Sequence, residues 1–335
     1  MLQKILIKLG VFILLICFTI FIFFYKTDLT KEELADRYIN STSKFIKLSN
    51  GAEMHYRDNG TLNKHVIVMI HGGFGSLHNW EGWVENLKKE YRVISMDLLG
   101  HGLTGAYPSN IYTRHSQRDA IHELLNILNI KKYILEGNSF GGGIALEMAL
   151  KYPEEVKGLI LVDSEGIPNS ENGYDASQFT NEKPITPDER EYTKLSFLER
   201  MGSKFIGSSI IKKQLESMIF NKNLINDDFV DFYGRILRYK GNREAQILMF
   251  RQELHLVVSG HKMDLLPRLK EIRCPTLVMA GENDTLVPVS VSEKFNNEIK
   301  VSELRIIPNT GHMPMIEKPN ETVKIVKHFL NKHNI

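Results

Sequence analysis

The order of apolar and polar positions changes character several times along the 335 residues. "LGVFILLICFTIFIFFY", Leu9 to Tyr25, runs about 17 residues without a charge, near the lower limit for crossing a hydrocarbon core. Residues 27–40 are polar and read as a short linker. In "FIKLSNGAEMHYRDNG" apolar and polar residues alternate on either side of Asn50-Gly51, the signature of a β-hairpin. Four continuous apolar runs follow: "HVIVMIHG", "YRVISMDL", "KKYILEGN" and "VKGLILVD". Runs of this kind suit strands buried on both faces. Between them lie stretches of helical period, such as "SQRDAIHELLNILNI" with Ile121, Leu124, Leu125 and Leu128 on one side. The alternation predicts a doubly wound, mostly parallel sheet with crossover helices.

From about residue 167 to 267 the strand pattern stops. "NSENGYDASQFTNEKPITPDERE" is loop-like, and three later segments read as amphipathic helices: "KLSFLERMGSKFIGSSIIKKQLESMIF", "DDFVDFYGRILRYK" and "REAQILMFRQELHLVV". Strand and helix then alternate again through "CPTLVMAGEND", "SVSEKFNNEI", "ELRIIPN" and "NETVKIVKHFLNKH". The chain therefore divides into an N-terminal segment 1–26, a linker 27–40, a first core part 41–166, a helical cap 167–267 and a second core part 268–335.

Composition narrows the classes little. Hydrophobic residues make up 42% and charged residues 24%, ordinary for a globular chain, and 42 basic against 40 acidic residues give no electrostatic case for a nucleic-acid partner. Cys17 and Cys274 lie too far apart in character to expect a disulfide or a thiolate metal site. The apolar run is long for a signal peptide, no A-x-A-like site follows it, and Ile16 before Cys17 argues against a lipoprotein site. The expectation is a single uncleaved membrane anchor, with a cleaved signal peptide as the rival. Lys4 and Lys8 favour an inside N-terminus and an extracytoplasmic catalytic domain, a bias that Lys26, Lys31 and Arg37 reduce.

The candidate chemistry centres on Gly137-Asn138-Ser139-Phe140-Gly141, a G-x-S-x-G between a predicted strand and a predicted helix. That context lets a serine sit at the apex of a strained turn, its hydroxyl at the positive end of a helix. The turn has neither the G-x-G-x-x-G spacing of a dinucleotide site nor the G-K-[ST] ending of a P-loop. A serine needs a base, and the base an orienting acid. His312 follows "ELRIIPNTG" and Asp284 follows "CPTLVMAGEN", both in loops after late strands. Asp163 in "LILVDSEG" is a rival acid, and Glu282 a weaker one. An oxyanion hole would take the N–H of Phe140 and one from "HGGFGSLHNW", with Gly73 first and Phe74 second. His71 and His101 read as loop supports. His78, His115, His122, His255 and His261 show no metal-ligand spacing, so neither metal nor cofactor is expected.

Together "HGGFGS", "DLLGHGLT", "GNSFGG", "GENDTLVP" and "GHMPMIEKP" resemble the α/β-hydrolase superfamily over nearly all of Phe45 to Phe329 apart from the cap. The resemblance implies an eight-stranded sheet, a helical cap after the sixth strand, Ser139 as nucleophile, Asp284 as acid and His312 as base. Thr104 stands where such proteins commonly carry serine, without expected catalytic effect. Ser139 argues against the dehalogenases and epoxide hydrolases of this fold, which use aspartate; Phe74 departs from the proline iminopeptidases, which are similar at "HGG". The implied activity is that of a serine hydrolase acting on a carboxylic ester, and apolar cap residues Phe197, Phe205, Ile206 and Met218 suggest a lipophilic one such as a monoacylglycerol. Carbon–carbon bond hydrolysis, acyl transfer and ligand binding without turnover stay open on the same residues.

Overall fold

The computed structural model describes residues 7–12, 15, 19, 24–60, 65–167, 191–258 and 265–335. Eight strands form one sheet: β1 (Ser43–Lys47), β2 (Glu53–Asn59), β3 (Val66–Ile70), β4 (Arg92–Met96), β5 (Tyr133–Asn138), β6 (Val156–Val162), β7 (Thr276–Gly281) and β8 (Ser302–Ile307). Their spatial order is β1-β2-β4-β3-β5-β6-β7-β8. The hairpin β1–β2 is antiparallel, β2 joins β4 antiparallel, and every other pair is parallel. The strands that read as continuous apolar runs are the central ones, because helices cover both faces.

One face of the sheet packs against α3 (Arg114–Ile127), α4 (Phe140–Lys151) and α9 (Val289–Glu298), through residues such as Ile121, Leu124, Ile144, Met148, Val291 and Phe295. The other packs against α2 (Glu81–Leu87) and α11 (Pro319–His333), through Trp83, Leu87, Val326 and Phe329. A short helix α10 (Pro314–Glu317) precedes α11. Two layers of helix enclose the strands, and all the strand ends that matter for chemistry point to one edge.

Residues 27–40 correct the linker expectation. They hold α1 (Lys31–Tyr38), started by a capping box in which Thr30 Oγ1 accepts from Glu33 N–H and Glu33 accepts from Thr30 N–H. Leu34 and Tyr38, one turn apart, are fully buried. Arg37 pairs with Asp228 and Asp231 of the cap, and Tyr38 Oη donates to Phe232 O at 2.6 Å. A polar composition concealed two buried anchors spaced for one helix face.

The cap supplies α5 (Phe197–Ser203), α6 (Ser208–Met218), α7 (Asp227–Leu237) and α8 (Asn242–Val258). The first amphipathic segment is two helices, broken at Gly207, the N-cap of α6. The third segment, α8, does not have the two clean faces expected of it: Ala245, Leu248, Met249 and Leu256 are buried, yet Phe250 and Leu254 are exposed. The loop-like stretch 168–190 lies outside the described residues, as does most of Leu9–Tyr25, on which the anchor expectation falls. Among the described residues no helix is long and apolar enough to cross a membrane.

Candidate active site

Ser139 joins β5 to α4 with φ 53° and ψ −120°, a conformation that L-residues rarely hold. The local sequence makes this possible. A Cβ at Gly137 would lie 2.4 Å from Gly141 O, and one at Gly141 only 2.3 Å from Ile70 O, so strand, turn and helix close only with glycine at both places. The serine is thus held at the N-terminus of a 12-residue helix, where free amides and the helix dipole favour negative charge.

His312 Nδ1–H donates to Asp284 Oδ2 at 2.7 Å, and both groups are buried. Asp284 Oδ1 accepts from Leu286 N–H at 2.8 Å and Val287 N–H at 3.2 Å. Burial alone would raise the Asp284 carboxyl; the His312 hydrogen bond and charge, with the Leu286 amide, outweigh it and hold the group below the usual carboxylate range. With Nδ1 committed as donor, Nε2 of His312 carries the free lone pair.

The rival acid stands beside this pair. Asp163, at φ 44° after β6, accepts from Gly281 N–H at 2.9 Å and does not bond His312. Burial, then the adjacent Asp284 charge, push its carboxyl well above the ordinary range, so it is neutral beside an ionised neighbour. Asp163, Asp284 and His312 are the one group among the described residues whose ligand atoms lie close enough to hold a metal ion, within 4.8 Å of one another. The 2.7 Å hydrogen bond places a proton between two of those atoms. Glu282 is exposed and accepts from Asn309 N–H at 3.1 Å.

The Gly72–Gly75 turn approaches the elbow from β3: a Cβ at Gly72 would fall 3.1 Å from Ser139 Cβ. His71 fixes this turn. Its Nε2 accepts Leu98 N–H at 3.0 Å, so Nδ1 carries the proton and donates to Gly72 O at 2.7 Å. Burial pushes the His71 pKa down and keeps this neutral tautomer. Gly73 borders open space, and Phe74, at φ 57°, stands half-exposed at the mouth. Phe140 is the first residue of α4, where helix amides have no internal acceptor.

A cleft beside Gly73 is lined by Ile211, Leu215, Met218, Tyr233 and Leu237 of the cap and by Met313. Among the described lining residues there is no Lys or Arg. Of the four apolar cap residues singled out from sequence, Met218 reaches this cleft, whereas Phe197 is exposed on the outer surface. Thr104 belongs to the support of Asp97, whereas His101 packs edge-on against His71, with its Nδ1 3.1 Å from Leu99 O. The Asp97 carboxylate accepts from His55, Leu77 N–H and Leu103 N–H, while Thr104 Oγ1 donates to Asp97 O at 2.7 Å. Burial drives the His101 pKa down to about 3.

Two residues with no role assigned from sequence join these loops. The Asn138 amide donates to Val162 O and His312 O, both at 3.1 Å, tying the serine turn to the histidine loop. Glu317 accepts from Gly311 N–H at 2.7 Å and from Asn221 N–H at 2.8 Å, tying that loop to the cap. Both sat in motifs already quoted, "GNSFGG" and "GHMPMIEKP", but only three-dimensional placement shows what they bond.

An elbow serine, a carboxylate-oriented histidine and a glycine turn at one edge of a doubly wound sheet define the hydrolase class of this fold. Residues 65–319 match the family described as alpha/beta hydrolase fold, and the chain belongs to it. It is 27% identical to Lipase 1 of Psychrobacter immobilis over 85% of this chain and 83% of that one. It is 29% identical to a 2-hydroxymuconate semialdehyde hydrolase of a Pseudomonas species, over 79% of this chain and 86% of that one. The crystal structure of a bacterial membrane phospholipase A superposes with a TM-score of 0.72 at 23% identity, covering 98% of both chains, a likeness of fold.

Proposed function

We propose that this protein is a membrane-anchored serine hydrolase that cleaves a lipophilic carboxylic ester. Ser139 Oγ attacks the acyl carbon as His312 Nε2 takes its proton, and Asp284 stabilises the imidazolium so formed. The tetrahedral oxyanion rests on the amides of Phe140 and Gly73. His312 returns its proton to the departing alkoxide, then activates water to release the acyl group. The observation that carries this reading is the 2.7 Å contact of His312 Nδ1 with Asp284, at the same strand edge as a serine held at φ 53°. The run Leu9–Tyr25 is the anchor, with the hydrolase on the outer side of the membrane.

A second reading, hydrolysis of a carbon–carbon bond, draws support from the 29% identity to a 2-hydroxymuconate semialdehyde hydrolase. The lipophilic-ester reading draws its support from the side chains beside Gly73, where Ile211, Leu215, Met218, Leu237 and Met313 are apolar and Gln214 and Tyr233 are polar. The test is Ser139→Ala against a panel of p-nitrophenyl esters of increasing chain length. The expected loss in kcat/KM is roughly a thousandfold or more. Turnover within tenfold of the parent would remove Ser139 from the mechanism.

A further inference from the structure

The outer face of the cap is apolar where a soluble surface would be polar. On α5, Phe197 and Leu198 are 75% and 78% exposed; on α8, Phe250 and Leu254 are 74% and 52% exposed, with Val257 continuing the same helical stripe. The two helices lie side by side, bridged by the Arg251–Glu199 ion pair. Spacing of four and three residues places Phe250, Leu254 and Val257 on one side of α8.

The N-terminal run leaves the domain at this same place. Lys26 N–H donates to Lys204 O just after α5, Arg243 of α8 donates to Lys26 O at 2.7 Å, and the Tyr25 ring packs edge-on against Phe205. The described residues of the run, among them Leu9, Val11, Phe12, Leu15 and Phe24, are exposed and so are not folded back onto the domain. The seven-residue α5 spans about 10 Å, so whatever receives the run is within reach of Phe197 and Leu198. Lys26, Lys194 and Arg200 are exposed in these segments, against Glu191 as the exposed carboxylate; Glu199 is already paired.

We propose that the α5–α8 face docks on the bilayer that receives the N-terminal run, with Phe197, Leu198, Phe250, Leu254 and Val257 in the headgroup–acyl boundary. The proposal rests on the anchor reading above. It also deepens it, because α5 leads through Gly207 into α6, whose inner side carries Ile211, Leu215 and Met218 of the cleft. A lipid ester therefore has a short path from the bilayer to Gly73 and Ser139.

The test uses the full chain in vesicles of phosphatidylcholine and phosphatidylglycerol containing brominated phosphatidylcholine. Trp80 and Trp83 are fully buried and form a constant background. In Phe250→Trp the added emission should fall by roughly half or more, as for side chains at acyl depth, while Ile306→Trp on β8 is unaffected. Equal quenching of the two variants overturns the docking. Carbonate extraction of the same vesicles separates the readings. A retained chain with unquenched Phe250→Trp leaves the anchor standing and sinks the docking. An extracted chain sinks the anchor; quenching in that case still supports the docked face, and its absence removes both. In addition, Leu198→Asp/Phe250→Asp should lower turnover of a vesicle-embedded ester roughly tenfold and leave a water-soluble p-nitrophenyl ester unchanged. Equal losses on both substrates count against docking.

Discussion

The strand edge around Ser139 and the cap above it are built to opposite standards. At the edge the elbow and the groups that hold it are tightly enclosed, although Gly73 borders open space. Gly141 sits against Ile70 O, Asn138 spans to Val162 and His312, and Asp284 has three donors on its two oxygens. In the cap, Gly202 of α5 meets nothing within 4 Å, and α8 turns Phe250 outward. The difference separates two tasks. Reacting atoms must be held to fractions of an ångström in a strained turn, which needs enclosure from every side. Covering a substrate and meeting a surface needs shape and polarity, and leaves room for substitution.

The deepest break in that comparison is Gly141→Ala. The added methyl would point at backbone oxygens of Ile70 and His71, which cannot rotate away. We expect about 3 kcal/mol of destabilisation and a loss of the proposed hydrolase activity comparable to that of Ser139→Ala. Chemical denaturation and burst titration of the folded fraction measure the two effects separately. Folded protein with near-parental turnover would show that the elbow is less constrained than its contacts imply.

Next in size is the contrast between the two neighbouring carboxyls. Asp284→Asn removes the charge facing imidazolium and should cost roughly a thousandfold or more in kcat/KM. Asp163→Asn replaces a neutral buried acid with a neutral amide of similar shape, and should stay within about threefold. A deeper loss for Asp163→Asn than for Asp284→Asn would reverse their roles.

How far these features could be read in advance depends on where their causes lie. That Ser139, His312 and Asp284 come to one strand edge was legible because strand runs, turn residues and chain order are properties of sequence. Asp284 and Asp163 could not be separated that way, since both follow strands that end at the same edge. The helix at Lys31–Tyr38 was missed because its buried face is only Leu34 and Tyr38 within a polar stretch. The outer face of α8 was misjudged because an apolar residue in a sequence does not say whether protein or something else covers it.

Acid sharpens the comparison at a smaller scale. His101 and His71 are buried near the Ser139 turn and held neutral, His101 with its pKa lowered from 6.5 to about 3. Below pH 6.5 the unfolded chain takes up a proton that the folded chain refuses, so stability falls with pH and levels off near the folded value. From pH 7 to 5 His101 alone should account for about 2 kcal/mol. Asp97 has the opposite dependence: its carboxyl is held below the ordinary range, so its contribution persists above about 3.9 and is lost only at lower pH. The part of the slope between pH 7 and 5 that rises with pH therefore belongs to the histidines, and it is opposed by Asp163 and Glu136, whose buried carboxyls are raised and hold in the folded chain a proton that the unfolded chain has lost. His101→Asn should flatten the plot of unfolding free energy against pH there; an unaltered slope would place the proton uptake elsewhere.

The smallest effect is expected in the cap, and its sign is the informative part. Gly202 lies in helix α5, exposed, with open space where a methyl would go and no positive φ. Gly202→Ala should raise stability by about 0.5–1 kcal/mol, because alanine loses less backbone freedom on entering a helix. The same substitution, glycine to alanine, is then disruptive beneath Ser139 and mildly stabilising on the cap. If α5 must unwind to admit substrate, the stiffer helix should also slow turnover of long-chain esters relative to short ones. A stabilised variant with an unaltered chain-length profile would mean that the cap opens as a rigid unit, hinged outside α5.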